Sequence, residues 1–109
     1  MVYLVQSGCA INNKTFSLRN QAFDDGKKLI ELGQIEEGIA KLEQARREKP
    51  ENQEIQAVTA RLRDEAITKL LYEAESIRFG GDLTRAEQAY QRILNLYPYN
   101  ERAREGIEL

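Results

Sequence analysis

Two adjacent carboxylate pairs, Asp24-Asp25 and Glu36-Glu37, are the first side chains in this sequence that could share a proton or hold a cation. Both lie in stretches of helical periodicity, where neighbours point about 100° apart and reach different surroundings. They read as solvated faces, and acidic residues near a helix start are favoured by the helix dipole. The basic pairs Lys27-Lys28 and Arg46-Arg47 stand among carboxylates, and a formal net charge of −2 leaves no basic face for nucleic acid. The chain has no histidine, which excludes imidazole general-base catalysis, histidine metal ligands and imidazole pH switching. Its single cysteine, Cys9, excludes an intrachain disulfide, Cys-x-x-Cys redox chemistry and cysteine metal clusters. These residues point to no reaction, no metal and no cofactor. The chain reads as a non-enzyme whose function must lie in a surface.

The elements that would carry such a surface are marked by a duplication. Gly33, Pro50 and Asn52 recur as Gly81, Pro98 and Asn100, each 48 residues further on. A fixed internal period is the mark of a helical repeat array, in which each unit buries its apolar stripe on its neighbour. The 109 residues argue for one compact unit, and 41% hydrophobic content is enough for an all-helical core. Ser17 is a candidate cap for a first helix over residues 18–32, with Leu18, Ala22, Gly26 and Leu29 on its apolar side and Gly33 as the left-handed stop. Ile35, Ile39, Leu42 and Ala45 share one face of a second helix over 35–48, which Pro50 ends. Asn52 caps a third helix that meets no breaker before Gly80-Gly81, about 40 Å at 1.5 Å per residue. Its stripe reads Ile55, Val58, Leu62, Ala66, Leu70, Ala74 and Ile77, and these positions are expected in the core. Asp82 caps a fourth helix over 83–97 with Leu83, Ala86, Tyr90, Ile93 and Tyr97 inward. Asn100 caps a fifth, which carries Ala103 and Ile107.

The run Gly81-Asp82-Leu83, Ala86, Tyr90, Leu94, Pro98 and Asn100 resembles the second half of a tetratricopeptide repeat, with Ala74 at the small position of its first helix. Gly26, Gly33, Gly38, Ala45, Pro50 and Asn52 match the first copy, with Leu42 in place of the aromatic. The family period is about 34 residues, so each unit here carries about 14 more. At about 100° per residue that insertion returns the helix to within about 40° of its starting face. The resemblance implies an all-α fold of tandem antiparallel helix hairpins, a tetratricopeptide-like α-solenoid with one long shared central helix. A helical bundle without repeat ancestry fits the same signals.

In tetratricopeptide modules the first helix of each pair lines a concave groove that takes a protein or peptide. By that register the groove residues are Asn20, Phe23, Asp24, Lys27, Ile30 and Glu31, then Thr68, Leu71, Tyr72, Glu75, Arg78 and Phe79. Phe23, Leu71, Tyr72 and Phe79 are expected to form a partly exposed apolar strip flanked by charge, suited to an amphipathic helix or extended peptide. Packing beneath a neighbouring helix is the other reading of each aromatic. The basic and amide clamp by which some family members hold a carboxyl terminus is absent, since Phe23 and Leu71 occupy its places.

Leu4-Val5-Gln6-Ser7-Gly8-Cys9-Ala10 resembles the end of a bacterial lipoprotein signal peptide, in which the cysteine becomes the lipidated first residue. Gln6 stands where that motif has leucine, and residues 1–5 are shorter than its hydrophobic region. On this reading residues 1–16 are a flexible remnant of the signal, residues 17–109 are the helical domain, and the membrane is reached only through acyl chains on Cys9. A lipobox followed by spaced repeats is similar to the N-terminal region of secretin-like outer-membrane proteins of type II secretion and type IV pilus systems. That resemblance implies a periplasmic, outer-membrane-associated module with partners among secretion components, and no pore of its own. A soluble cytoplasmic adaptor, with Cys9 incidental, and a structural module that pairs with copies of itself remain open beside it.

Overall fold

A computed structural model of the protein describes residues 20–108, and these form five α-helices and no strand. α1 spans Gln21–Glu31, α2 Ile35–Glu48, α3 Gln53–Phe79, α4 Leu83–Leu96 and α5 Glu101–Glu108. The expected all-α class holds, and the long third helix is a single element of 27 residues. The period seen in the sequence is also a period of the backbone. α2 runs from 35 to 48 and α4 from 83 to 96, α3 and α5 start at 53 and 101, and α1 and α3 end at 31 and 79. Each of these pairs is separated by the same 48 residues.

The boundaries repeat because their chemistry repeats. Gly33 and Gly81 hold φ of 83° and 92°, a left-handed conformation that a side chain would strain. At the first turn Gly33 N–H donates to Ile30 O and Gln34 N–H to Leu29 O, the paired bonds that satisfy the last carbonyls of α1. Gly81 N–H donates likewise to Arg78 O at 2.9 Å. Asn52 and Asn100 accept Ile55 N–H and Ala103 N–H at 3.0 and 2.9 Å, capping α3 and α5 in the same way. Asp82 accepts Arg85 N–H at 3.1 Å and caps α4.

α1 departs from expectation at its start. It begins at Gln21 rather than Leu18, and its cap is Asn20; Ser17 and Leu18, like Cys9, lie outside the described residues. Asn20 has extended backbone, its Oδ1 accepts Phe23 N–H at 3.0 Å, and its Nδ2 donates to Glu48 Oε1 at 2.8 Å. Both ends of the amide are thus engaged, one on each helix of the hairpin. Asn20 is consequently buried, not facing a groove. The same bond, helped by the Gln44 amide, holds the Glu48 carboxyl below its usual range.

The chain divides into two compact units at Thr59 and Ala60, inside α3, where length alone argues for one. Hairpins make chiefly local contacts, so a repeat chain can condense around each hairpin separately. In the first unit α1 and α2 run antiparallel, closely enough that Gly26 and Gly38 face each other. A Cβ on Gly26 would lie 2.8 Å from the Leu42 side chain and 3.0 Å from Gly38 O, and one on Gly38 would meet Ile30. Phe23, Ile35, Ile39, Leu42 and Ile55 fill this core. Gln56 Nε2 donates to the carbonyls of Arg46 and Lys49, both at 3.2 Å, and ties the start of α3 to the end of α2.

The second unit buries Ala66, Leu70, Leu71 and Ala74 of α3, Ala86, Tyr90 and Ile93 of α4, and Ala103 of α5. The Tyr90 ring occupies the space in which Gly106 would carry a Cβ, so α5 lies flat on the aromatic. Three expected core positions differ. Val58 and Leu62 are only half-buried, at the edge of a stripe that drifts around a long helix. Leu83 is 65% exposed, whereas its counterpart Ile35 is 4% exposed. A side chain in the first turn leans back past the helix end, and its burial depends on what lies beyond the turn.

Candidate partner-binding surface

The eight residues expected to line a groove separate into two classes. Phe23 and Leu71 are 6% and 5% exposed and belong to the cores of their units, which corrects the expectation of a four-residue exposed strip. Their register explains it, since each adjoins another buried position, Ala22 and Leu70 respectively. Lys27 sets its Nζ 4.6 Å from the centroid of the Phe23 ring and 4.0 Å from Asp24 Oδ1, covering the aromatic with a cation. Ile30 is half-buried against Gly38. In the first unit the expected groove face is therefore occupied by the hairpin's own side chains.

In the second unit the surface is open. Tyr72 is 75% and Phe79 84% exposed, two turns apart on α3. Together with Glu75 and Ser76 they border a shallow groove along that helix. The Arg78 guanidinium lies 5.7 Å from the Phe79 ring centroid. Glu75 is anchored from beneath by Arg102 of α5, with Nη2 2.6 Å from its Oε2. The same face continues toward the middle of α3 through Arg61, Glu65, Thr68, Lys69 and Glu73, which border a wider, flatter concavity ending at Tyr72. Arg61 and Glu65 are paired at 3.0 Å.

Sequence reasoning missed a second apolar surface in this unit. Ile67 of α3 and the segment Tyr97-Pro98-Tyr99 border a cleft, with Arg63 and Asp64 at its polar side. Tyr99 is 87% exposed, and the Arg63 guanidinium stands 5.8 Å from the Tyr97 ring centroid. The available signal was the pair of tyrosines bracketing the repeat's second proline, where the first copy has Lys49 and Glu51.

No nucleophile, acid–base pair or anion cradle accompanies these surfaces. Among the described residues no cluster of His, Cys, Asp or Glu is placed to hold a metal, and no helix is long and apolar enough to cross a membrane. What the arrangement offers chemically is exposed aromatic area on a rigid helix, rimmed by alternating charge, the composition of a docking surface. No family model, curated protein or solved structure matches the chain. The argument for function therefore rests on these residues.

Proposed function

We propose that the chain is a non-catalytic protein-interaction module, a tetratricopeptide-like α-solenoid whose hairpins share α3. Its setting on this reading is the bacterial periplasm, where it serves as the N-terminal part of an outer-membrane secretion or pilus assembly, tethered through Cys9. The observation that carries the interaction reading is the exposure of Tyr72 and Phe79 on one face of a helix whose opposite side is core. A soluble domain gains nothing in its own stability from two aromatic rings left in water, and such patches on charged rims mark docking sites. The duplicated hairpin boundaries support the repeat reading, because the turn and cap chemistry recurs at one period.

A pull-down of envelope proteins by wild type and by the Tyr72→Ala/Phe79→Ala variant tests the surface. The variant is expected to lose specific capture and to keep its melting temperature, because neither ring contributes to a core. Loss of folding with loss of capture would place the rings in the core and sink the reading. Incorporation of labelled palmitate that disappears in Cys9→Ser separates the envelope setting from a cytoplasmic adaptor.

A further inference from the structure

The exposed face of α3 is self-complementary. Arg61, Glu65, Lys69, Tyr72, Glu73 and Phe79 fall on one side of the helix, since steps of three, four and seven residues return to the same face. Tyr72 stands seven residues from Glu65 on one side and seven from Phe79 on the other. Reversing the helix about Tyr72 therefore brings Phe79 of one copy level with Glu65 of another. There it meets the aliphatic stems and guanidinium of the Arg61–Glu65 pair. In the same superposition Lys69 of one copy and Glu73 of the other lie on the same flank, about 3 Å apart along the helix axis at 1.5 Å per residue. The exposed tyrosines meet at the centre, and each charge of one sign faces the other sign. Both copies use the same patch, as a two-fold interface requires.

We infer that this face takes a second copy of the chain, in an antiparallel α3–α3 dimer with its two-fold axis beside Tyr72. The inference rests on the reading of Tyr72 and Phe79 as a docking surface and names its occupant. Charge complementarity carries the choice of partner. A foreign helix would have to bring its own matching charges, whereas the copy supplies a glutamate for each lysine and a basic stem for each phenylalanine.

The test is the association state of the full chain, followed by sedimentation equilibrium in reducing buffer so that Cys9 cannot supply the link. Wild type is expected to dimerise. Lys69→Glu and Glu73→Lys are each expected to raise the dimer dissociation constant at least tenfold, because each sets like charges face to face. An equimolar mixture of the two variants restores opposite charges at both contacts and is expected to associate as tightly as wild type. Both positions are exposed, and unchanged far-ultraviolet circular dichroism confirms the fold of each variant. A wild type that stays monomeric overturns the inference, as does a dimer indifferent to both charge reversals, or a mixture that fails to recover. Should wild type be monomeric while the Tyr72→Ala/Phe79→Ala variant still loses a purified envelope partner, the docking surface stands and only its occupant is wrong.

Discussion

The two hairpins share their backbone boundaries but not their cores. The first brings α1 and α2 together over Gly26 and Gly38, where an added Cβ would meet opposing backbone and the Leu42 side chain. At the equivalent positions, 48 residues on, the second has Ala74 and Ala86, both buried, so a methyl group is accommodated there. The second unit places its indispensable glycine elsewhere, at Gly106 beneath the ring of Tyr90. The counterparts of that pair in the first unit are Val58 and Leu42. One position has grown from leucine to tyrosine while its counterpart has shrunk from valine to glycine. Cores tolerate such exchanges when total volume is kept, because packing density is what is conserved. The surfaces diverge further. The face of α1 is covered by its own lysine and isoleucine, whereas the face of α3 leaves Tyr72 and Phe79 in water. The repeat holds geometry constant and lets volume and exposure vary, so one copy becomes scaffold and the other becomes surface.

The largest effect is expected where both units depend on one element. Leu62 lies in the middle of α3, three residues past the boundary between units, and is itself only half-buried. Leu62→Pro removes a backbone hydrogen bond and costs about 3 kcal/mol or more whatever the side chain packs against. A domain of this size has about 5–15 kcal/mol in total. Loss of helical circular dichroism well beyond one turn, with a sharply lowered melting temperature, is the expected outcome. An equally helical and equally stable variant would mean that the units do not lean on a continuous α3.

Volume exchange between the cores is the next test. Gly106→Val alone is expected to cost about 1–3 kcal/mol by forcing the Tyr90 ring aside. Tyr90→Leu alone leaves space unfilled. The double variant, which gives the second unit the residues of the first, is expected to recover about 0.5–3 kcal/mol relative to the sum of the single effects. Urea unfolding of the four proteins measures this coupling. Strict additivity would show that Tyr90 and Gly106 are not exchanging volume.

Much of the fold was legible because punctuation is chemistry that acts locally. Gly33, Gly81, Asp82, Asn52 and Asn100 do in the structure what their types dictate, and the bounds of α2 and α3 follow from them. The start of α1 was not legible, because Asn20 prevails through its bond to Glu48, a partner 28 residues away. Burial along the stripes was only partly legible. Periodicity places Leu83 and Ile35 alike, and only the surroundings of each turn distinguish them. The same limit applies to the surface. Helical register grouped Phe23, Leu71, Tyr72 and Phe79 as one strip, but residues 71 and 72 point about 100° apart, and one is core while the other is exposed. The cleft at Tyr97-Pro98-Tyr99 joins segments about 30 residues apart, which no local pattern reports.

The smallest expected effect separates the units by pH. The first hairpin is pinned by Asn20, which caps α1 and donates to Glu48; the second has Thr68 and Leu96 at the equivalent positions and cannot make that bond. The Asn20 amide, and then that of Gln44, favours the charged form of Glu48, so its pKa in the folded chain lies below the ordinary 4.5. A lowered folded pKa contributes stability that is fully present above 4.5 and is lost as pH falls through the folded value. Asn20→Ala removes this contribution together with the cap, and loss of the cap costs about 1 kcal/mol at any pH. The difference in melting temperature between wild type and Asn20→Ala is therefore expected to be larger at neutral pH than in acid, and to narrow below pH 4.5 without vanishing. Thr68→Ala in the second unit, which has no carboxylate to hold, is expected to show a difference from wild type that does not vary across the same range. A constant gap for Asn20→Ala would mean that the amide serves only as a cap and that the two hairpins are closed by the same forces after all.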